Sequence, residues 1–260
     1  MAIPKKRFGQ HFLCDKNVID QIIAAIDPKP DDHLVEIGPG QGALTIPLLK
    51  HLHHLEAIEF DRDLVTLLQK KCHSNDEFVL YTADALRFDF ASLKKDKRLL
   101  RIVGNLPYNI STPLIFHLLT FSSVISDMTL MLQKEVAERL AASINTKAYG
   151  RLSVMVQYHC HVELLFTVPP HAFFPEPQVQ SSMVRLIPHR HYPCRAENNA
   201  LFEKIVKLAF MHRRKTLRNS LKDLIGDEAW PHLSIRSDLR AENLEVKDYV
   251  ALSNSGYLSS

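Results

Sequence analysis

Apolar and polar positions alternate along the first two thirds of the chain with two different periods. Short apolar runs predict strands, and stretches in which apolar residues recur every three or four positions predict helices. The predicted strands cover residues 33–37, 55–60, 77–84, 99–105 and 127–133. The predicted helices cover residues 43–52, 61–72, 113–121 and 134–142. Because strands and helices take turns, the pattern favours a parallel sheet with helices on both faces.

The pattern changes in the last third of the chain. Two strand-like runs, 162–168 and 181–187, are joined by the proline-rich loop P-P-H-A-F-F-P-E-P-Q-V-Q, with no helix between them. This arrangement predicts an antiparallel pair at the edge of the sheet. Beyond Pro188 a polar connector leads into a segment whose pattern is only helical. We therefore predict an α/β domain over residues 1–189 and a small helical domain over residues 190–260.

Composition is that of an ordinary globular protein. The 260 residues are 46% hydrophobic and carry a net charge of +3, which permits a nucleic-acid partner without requiring one. No apolar run is long enough to cross a membrane, and the basic start lacks the apolar stretch of a signal peptide. The four cysteines show no C-x-x-C spacing, and His51, His53 and His54 fit a solvated helix end better than a metal site. We expect a cytosolic protein with free thiols and no metal.

A glycine-rich loop, E-I-G-P-G-Q-G over residues 36–42, follows a predicted strand and opens a predicted helix. Glycines at such a turn let the backbone approach a ligand closely. The G-x-G-x-G spacing differs from the G-x-G-x-x-G of dinucleotide-binding proteins, and the loop lacks the Lys-Ser/Thr ending of a P-loop. On its own, the loop is explained equally well by a tight turn between strand and helix.

Carboxylates stand at the ends of the next two predicted strands. Glu59 is placed to accept hydrogen bonds from ribose hydroxyls, and Asp84 to accept one from the amine of an adenine. Alone, Glu59 would be an ordinary surface residue and Asp84 a helix cap. Together with the glycine loop they lie at the carboxyl edge of the sheet, where ligands bind in open α/β folds. The set predicts a nucleoside cofactor without phosphates to cradle, and S-adenosyl-L-methionine fits best.

The segment G-N-L-P-Y-N-I-S-T, residues 104–112, follows the fourth predicted strand. Methyl transfer from such a cofactor to the amino nitrogen of an adenine is one reaction that this segment could serve. That nitrogen is a poor nucleophile because its lone pair is delocalised into the ring. The side-chain oxygen of Asn105 and the backbone carbonyl of Leu106 would accept its N–H bonds and orient it, and Pro107 stiffens that carbonyl. Tyr108 offers a face for stacking an extruded base. A β-turn with a packed tyrosine would also explain the segment.

With these motifs the sequence resembles the bacterial small-subunit ribosomal RNA adenine dimethyltransferases (the KsgA/RsmA family), close kin of the erythromycin-resistance ribosomal RNA methyltransferases. The resemblance covers essentially the whole chain. Its matches include KRFGQHFL (6–13), VEIGPGQGALT (35–45), IEFDRDL (58–64), GNLPYNIST (104–112), MLQKEVAERL (131–140), YGRLSV (149–154), FFPEPQVQSSMVRL (173–186), RRKTLRNSL (213–221) and RAENL (240–244).

The resemblance implies a fold and a reaction. The fold is a Rossmann-like S-adenosylmethionine-dependent methyltransferase domain, a mostly parallel sheet with an antiparallel edge strand, followed by a small all-helical domain that binds RNA. The reaction is the N6,N6-dimethylation of two adjacent adenosines in the 3′-terminal hairpin loop of the small-subunit (16S) ribosomal RNA. Such an enzyme would act in small-subunit biogenesis.

The resemblance also implies roles for single residues. The methionine end of the cofactor would meet His11, Leu13 and Gly38. Many relatives carry asparagine at the position of His11, a change that a backbone contact would survive and a side-chain contact would not necessarily survive. Tyr108 and Phe173 would sandwich the target base. Gly42 would be a variation without an essential role. The implied cofactor-binding residues are His11, Leu13, Gly38, Gly40, Glu59, Asp84 and Asn105, and the implied catalytic residues are Asn105, Leu106, Pro107, Tyr108 and Phe173.

Two basic stretches are candidate RNA contacts. Residues 210–222 are helical in pattern, and from charge alone they would be a solvated helix face; the resemblance favours phosphate binding. A second stretch lies close to the predicted cofactor entrance. The residues concerned are Lys5, Lys6, Arg7, Arg213, Arg214, Lys215, Arg218 and Lys222.

Other functions fit the sequence less well. A cysteine nucleophile at Cys194 would lie in the polar connector, away from the strand ends, and DNA adenine methyltransferases favour an acidic residue where Asn105 stands. An assembly checkpoint factor that binds RNA without needing catalysis is the remaining alternative. We expect a cytoplasmic monomer whose partner is the immature 30S subunit, with no DNA and no membrane.

Overall fold

A computed structural model describes residues 10–73, 77–212 and 214–257. The chain divides into two compact units. One comprises the described residues up to Ala137 together with Glu163–Pro188, and the other comprises Glu138–Val162 and the described residues from His189 onward. The junction between Pro188 and His189 lies beside the predicted boundary near residue 190. Residues Glu138–Val162, which the sequence pattern grouped with the first domain, belong to the second unit.

The larger sheet has seven strands in the order β4-β3-β2-β5-β6-β9-β7. Strands β2 to β6 run parallel to their neighbours, and β9 pairs antiparallel with β6. This is the mostly parallel sheet with an antiparallel strand that the sequence predicted. The strands are β2 (His33–Ile37), β3 (Leu55–Glu59), β4 (Phe78–Thr82), β5 (Leu100–Asn105), β6 (Ile125–Gln133), β7 (Cys160–Val168) and β9 (Ser181–Pro188).

Helices follow most of these strands, in agreement with the predicted alternation. Both β2 and β3 are buried along their whole length. The side chain of Asp15 caps the first helix by accepting hydrogen bonds from the backbone of Asn17 and Val18. The helices of this part are α1 (Lys16–Ile26), α2 (Thr45–Leu48), α3 (Arg62–Lys71), α4 (Ser111–Leu119) and α5 (Lys134–Leu140). Helix α2 is shorter than the helix predicted over 43–52, and α1 was not predicted.

A second, two-stranded sheet pairs β1 (Phe12–Leu13) antiparallel with β8 (Phe173–Phe174). The sequence pattern did not predict these strands, because each is only two residues long. The carbonyl of Ala172 also accepts a hydrogen bond from the backbone of Cys14, at 2.8 Å. The pairing therefore joins the N-terminal motif to the proline-rich loop.

A hydrogen-bonded cluster is buried between β2, β3 and β4. The carboxylate of Glu56 lies 3.1 Å from Nε2 of His33 and accepts a hydrogen bond from Oη of Tyr81 at 3.2 Å. A second imidazole, that of His54, lies 3.6 Å from the same carboxylate. Burial pushes the pKa of Glu56 up, but these hydrogen bonds and the charge of His33 outweigh burial, so its pKa lies below the ordinary value.

The second unit is helical, with α6 (Arg151–His159), α7 (Asn199–Met211), α8 (Leu217–Ser220) and α9 (Val246–Ser253). Two buried tyrosines secure the chain around α9. Oη of Tyr149 donates to the carbonyl of Leu244 at 2.9 Å, and Oη of Tyr249 donates to the carbonyl of Ala241 at 2.6 Å. Within the described ranges, no helix combines the length and apolar character needed to cross a bilayer.

The prediction of one continuous helix over residues 210–222 is wrong. Helix α7 ends at Met211, and α8 begins only at Leu217. The backbone N–H of Leu217 donates to the carbonyl of Leu239 at 2.7 Å, and that of Arg218 donates to Ser237 at 3.1 Å. In a continuous helix, these two N–H groups would donate to carbonyls four residues earlier in the chain. Because they donate to Leu239 and Ser237 instead, the basic residues lie on a turn and a short helix.

Candidate active site

The carboxyl ends of four neighbouring strands meet at one cavity of about 290 Å³ in the first unit. The wall includes the glycine loop after β2, Glu59 at the end of β3, and Asp84 just beyond β4. Asn105, at the end of β5, and Tyr108 complete it, together with His11 and Leu13 from the N-terminal motif. The structure thus brings together residues that the sequence placed far apart, as expected for the carboxyl edge of a parallel sheet.

All three glycines of the loop have a positive φ, a conformation that other residues rarely adopt, and Gly40 and Gly42 also have close neighbours. Gly40 has a φ of +58°, its N–H donates to Oε2 of Glu59 at 3.1 Å, and a Cβ on it would lie 3.4 Å from the ring of Phe12. Gly42 has a φ of +87°, and a Cβ there would lie 3.1 Å from Leu68. Another residue at Gly42 would therefore be strained in this turn, while the expectation that Gly42 has no essential role in function stays a prediction.

Glu59 is buried and fixed by backbone donors. Besides the bond from Gly40, its Oε1 accepts a hydrogen bond from the N–H of Asp61 at 2.8 Å. Burial raises the pKa of Glu59, and the backbone hydrogen bonds act against that rise. The carboxylate is thus held rigidly at the strand end, with one side on the cavity.

A second buried carboxylate in the cavity wall, Glu36, was missed by the sequence interpretation. Oγ1 of Thr45 donates to its Oε2 at 2.7 Å. Burial, reinforced by the nearby charge of Glu59, raises the pKa of Glu36 to about 7 despite the hydrogen bond from Thr45. The available signal was the one carboxylate in a mostly apolar strand, two residues before the first glycine of the loop.

Asp84 combines the two roles considered for it. Its Oδ1 accepts a hydrogen bond from the N–H of Leu86 at 3.0 Å, as a turn-capping aspartate does. Its Oδ2 lies 4.0 Å from Nε of Arg87, and the residue also lines the cavity. The local turn therefore orients the carboxylate and does not remove it from the site.

The amide of Asn105 is oriented by the N-terminal motif. Its Nδ2 donates to the backbone carbonyl of His11 at 3.2 Å. A carbonyl oxygen can only accept, so this contact assigns the amide nitrogen to that side and turns Oδ1 the other way. The backbone of His11 is thus engaged with Asn105, whereas its ring makes other contacts.

Contacts hold both the hydroxyl group and the ring of Tyr108. Its Oη lies 2.8 Å from Oγ of Ser181, and its ring stacks on the imidazole of His11 with centroids 5.8 Å apart and planes at 28°. Nδ1 of His11 in turn lies 2.7 Å from the carbonyl oxygen of Pro175. The backbone N–H of Leu106 bonds to the carbonyl of Met131 at 3.2 Å, which anchors the segment before Tyr108.

The structure does not bring Phe173 to the cavity. Its side chain is 2% exposed and packs in the apolar core with Leu13, whereas the neighbouring Phe174 is 57% exposed. The register of β8 against β1 explains this, because successive side chains on a strand point to opposite faces. Phe173 therefore has no open face for a target base in this arrangement, contrary to the prediction.

The predicted RNA-binding residues are only partly within the described ranges, since Lys5, Lys6, Arg7 and Arg213 lie outside them. In the second unit Arg214, Lys215 and Lys222 are exposed. Nε of Arg218 lies 2.7 Å from Oδ1 of Asp227 in an exposed ion pair. Such a surface pair is weak, so Arg218 can exchange this partner for another anion at little cost.

Comparison of the sequence with known families places this geometry in context. The family model described as ribosomal RNA adenine dimethylase matches residues 2–256. The ribosomal RNA small subunit methyltransferase A of Alcanivorax borkumensis is 53% identical over 250 residues, which cover 96% of this chain and 89% of that protein. The protein of the same name from Chromohalobacter salexigens is 54% identical over 254 residues, covering 96% and 90%.

Solved structures show the same architecture. A dimethyladenosine transferase from Plasmodium falciparum superimposes with a TM-score of 0.77 at 27% identity, covering 93% of this chain and 96% of that chain. The 23S rRNA methyltransferase ErmE superimposes with a TM-score of 0.71 at 24% identity, covering 93% and 97%, and supports the fold alone.

Proposed function

Because the chain belongs to the ribosomal RNA adenine dimethylase family, we propose that its cavity brings a methyl donor and an extruded adenosine of small-subunit ribosomal RNA together. The chain is a ribosomal RNA adenine dimethyltransferase that uses S-adenosyl-L-methionine. We further propose that it converts two adjacent adenosines of the 3′-terminal hairpin loop to their N6,N6-dimethyl forms. The immature 30S subunit is the proposed partner, and the enzyme acts as a monomer in the cytoplasm, without DNA.

The cavity fits the cofactor by the chemistry of its wall. The glycine loop leaves room that a Cβ on Gly40 would fill, and the rigid carboxylate of Glu59 is a suitable acceptor for ribose hydroxyls. In this proposal Asp84 accepts from the adenine amine, and His11 and Leu13 contact the methionine end. Bound S-adenosyl-L-methionine supplies an electrophilic methyl group.

The residues of the chain then prepare the target nitrogen. In the first transfer, Oδ1 of Asn105 and the carbonyl of Leu106 accept the two N–H bonds of the adenine amine and direct its lone pair toward the methyl group. In the second transfer the nitrogen already carries one methyl group, so one of the two oxygens accepts its remaining N–H. Tyr108 stacks on the base with the face that His11 leaves open. The nitrogen becomes acidic only once it is methylated, so positioning and not a strong base supplies most of the rate.

The observation that carries the proposal is the convergence of Glu59, Asp84 and Asn105 at one cavity beside Tyr108. A factor that only binds RNA needs no such cavity, so the checkpoint alternative is not favoured. The test is to incubate the protein with labelled cofactor and immature small subunits, and to map the label. Label should enter both adjacent adenosines and disappear when both are replaced. Label elsewhere, or equal labelling of DNA, would contradict the proposal.

Replacing Glu59 by alanine should weaken cofactor binding by about 1–3 kcal/mol, because charge-assisted hydrogen bonds to the ribose are lost. Calorimetric titration with S-adenosyl-L-methionine measures this directly. The exposed carboxylate of Glu203 on α7 provides the matched control, since Glu203→Ala should leave the affinity unchanged. A folded Glu59→Ala protein with wild-type affinity would remove Glu59 from the cofactor site.

Replacing Arg213, Arg214 and Lys215 together by alanine should weaken binding to the small subunit and flatten its salt dependence. If two of the three contact phosphates, the slope of log K against log salt falls by roughly one to two units. Binding across a salt series measures the slope. The double variant Lys95→Ala/Lys97→Ala removes exposed charge from the first unit as a control. An unchanged slope in the triple variant would make the stretch an ordinary solvated surface.

A further inference from the structure

An aromatic ring stands exposed beside the cavity without a role in the proposed function. Phe174 is 57% exposed, although a phenylalanine gains about 2 kcal/mol or more from burial. In β8 it pairs with Phe12, whose side chain lines the cavity. Phe174 itself is not among the described residues that line the cavity. The ring therefore lies at the rim, next to the site but outside it.

The backbone around Phe174 is held in place on both sides. Before it, the carbonyl of Ala172 accepts a hydrogen bond from the N–H of Cys14. After it, the carbonyl of Pro175 lies 2.7 Å from Nδ1 of His11. The inward side chain of Phe173 is packed in the core, which fixes the outward direction of the next residue. An exposed ring on so constrained a segment is a preformed platform that loses little entropy when something stacks on it.

We infer that Phe174 is a stacking platform for a nucleobase that neighbours the target adenosine in the RNA. The inference rests on the proposed function, in which the target base occupies the cavity against Tyr108. When a base is extruded, its neighbours lose a stacking partner, and an aromatic side chain at the rim replaces that partner. Because the RNA strand has a direction, a ring at one place on the rim faces the base on one side of the target. It therefore meets the other adenine while one of the two adjacent adenosines is methylated, and a flanking base while the other is.

The test compares three substitutions at one position under single-turnover conditions, with immature small subunits and labelled cofactor. Phe174→Ala should lower kcat/KM for the subunit by roughly five- to a hundredfold, the range expected for loss of one base–aromatic stack. Phe174→Trp should keep activity near wild type, because the π face remains. Phe174→Leu, which is apolar but has no ring, should resemble Phe174→Ala.

Two controls make the result decisive. Cofactor affinity, measured by titration, should not change in any of the three variants, because the ring lies outside the cavity. Leu164→Ala removes a side chain of similar exposure from β7 and should leave kcat/KM unchanged. The inference is overturned if Phe174→Ala has wild-type kcat/KM or if Phe174→Leu restores it. Wild-type protein that fails to methylate the adjacent adenosines would instead overturn the proposed function.

Discussion

Replacing Asn105 by alanine should abolish methyl transfer while binding of the small subunit is retained. In the proposed mechanism, Oδ1 of Asn105 accepts a hydrogen bond from the target amine. The amide is oriented for this role because its Nδ2 donates to the carbonyl of His11. Loss of such positioning costs on the order of 10²–10³-fold in rate, so no methylation should be detected on the time scale of the wild-type reaction. Subunit affinity should stay near wild type, because phosphate contacts made by distant basic residues dominate it.

Single-turnover methylation of immature subunits measures the rate, and a filter-binding titration measures the affinity. Asn17→Ala on α1 is the matched control, because Asn17 is exposed and its side chain lies outside the cavity wall. Methylation by Asn105→Ala at a rate close to wild type would refute the mechanism. Simultaneous loss of subunit binding would show that the amide acts in recognition and not in positioning.

Replacing Glu56 by alanine should destabilise the protein by about 3 kcal/mol without any direct effect on the site. The carboxylate accepts from Tyr81 and lies within hydrogen-bond distance of His33, and its removal leaves the buried imidazole of His33 and the half-buried hydroxyl of Tyr81 without that partner. For a chain of this length each kcal/mol corresponds to about 2–4 °C in Tm, so a shift of roughly 6–12 °C is expected. Thermal unfolding followed by circular dichroism measures it.

The pH dependence of the difference in Tm between Glu56→Ala and wild type tests whether loss of the carboxylate charge causes that difference. The pKa of Glu56 is lowered in the folded state, so its stabilising contribution is present above the pKa of the unfolded chain and is lost as the pH falls through the folded pKa. The gap in Tm between Glu56→Ala and wild type should therefore narrow in acid. The exposed Glu203→Ala variant should show no gap at neutral pH. A gap that is constant down to strongly acidic pH would mean that packing and not charge is responsible.

The site residues at the strand ends could be predicted from sequence, because their placement depends only on local strand boundaries. A parallel sheet brings the carboxyl end of every strand to one edge, so Glu59, Asp84 and Asn105 needed only correct strand boundaries to be placed together. The predicted strand at 33–37 has the same bounds in the structure, and that at 55–60 differs by one residue. The glycine loop was recognisable for the same reason.

What the sequence could not predict depends on contacts between distant segments. Which of two adjacent phenylalanines faces the core is decided by the register of β8 against β1, about 160 residues away along the chain, and not by any local pattern. Glu56 looks like the polar position of a half-exposed strand, yet β3 is covered on both faces and the carboxylate is buried. The break between α7 and α8 likewise arises from hydrogen bonds to Ser237 and Leu239.

In the proposed function, the pairing of β1 with β8 makes the N-terminal motif a wall shared by cofactor and RNA. The carbonyl of His11 accepts a hydrogen bond from the amide of Asn105, and its ring lies against the carbonyl of Pro175 in the loop that carries Phe174. Any coupling between the two ligands through that wall is reciprocal: the factor by which bound cofactor changes the affinity for RNA equals the factor by which bound RNA changes the affinity for cofactor. Exchange of cofactor between successive methyl transfers would then change the affinity for RNA by that same factor.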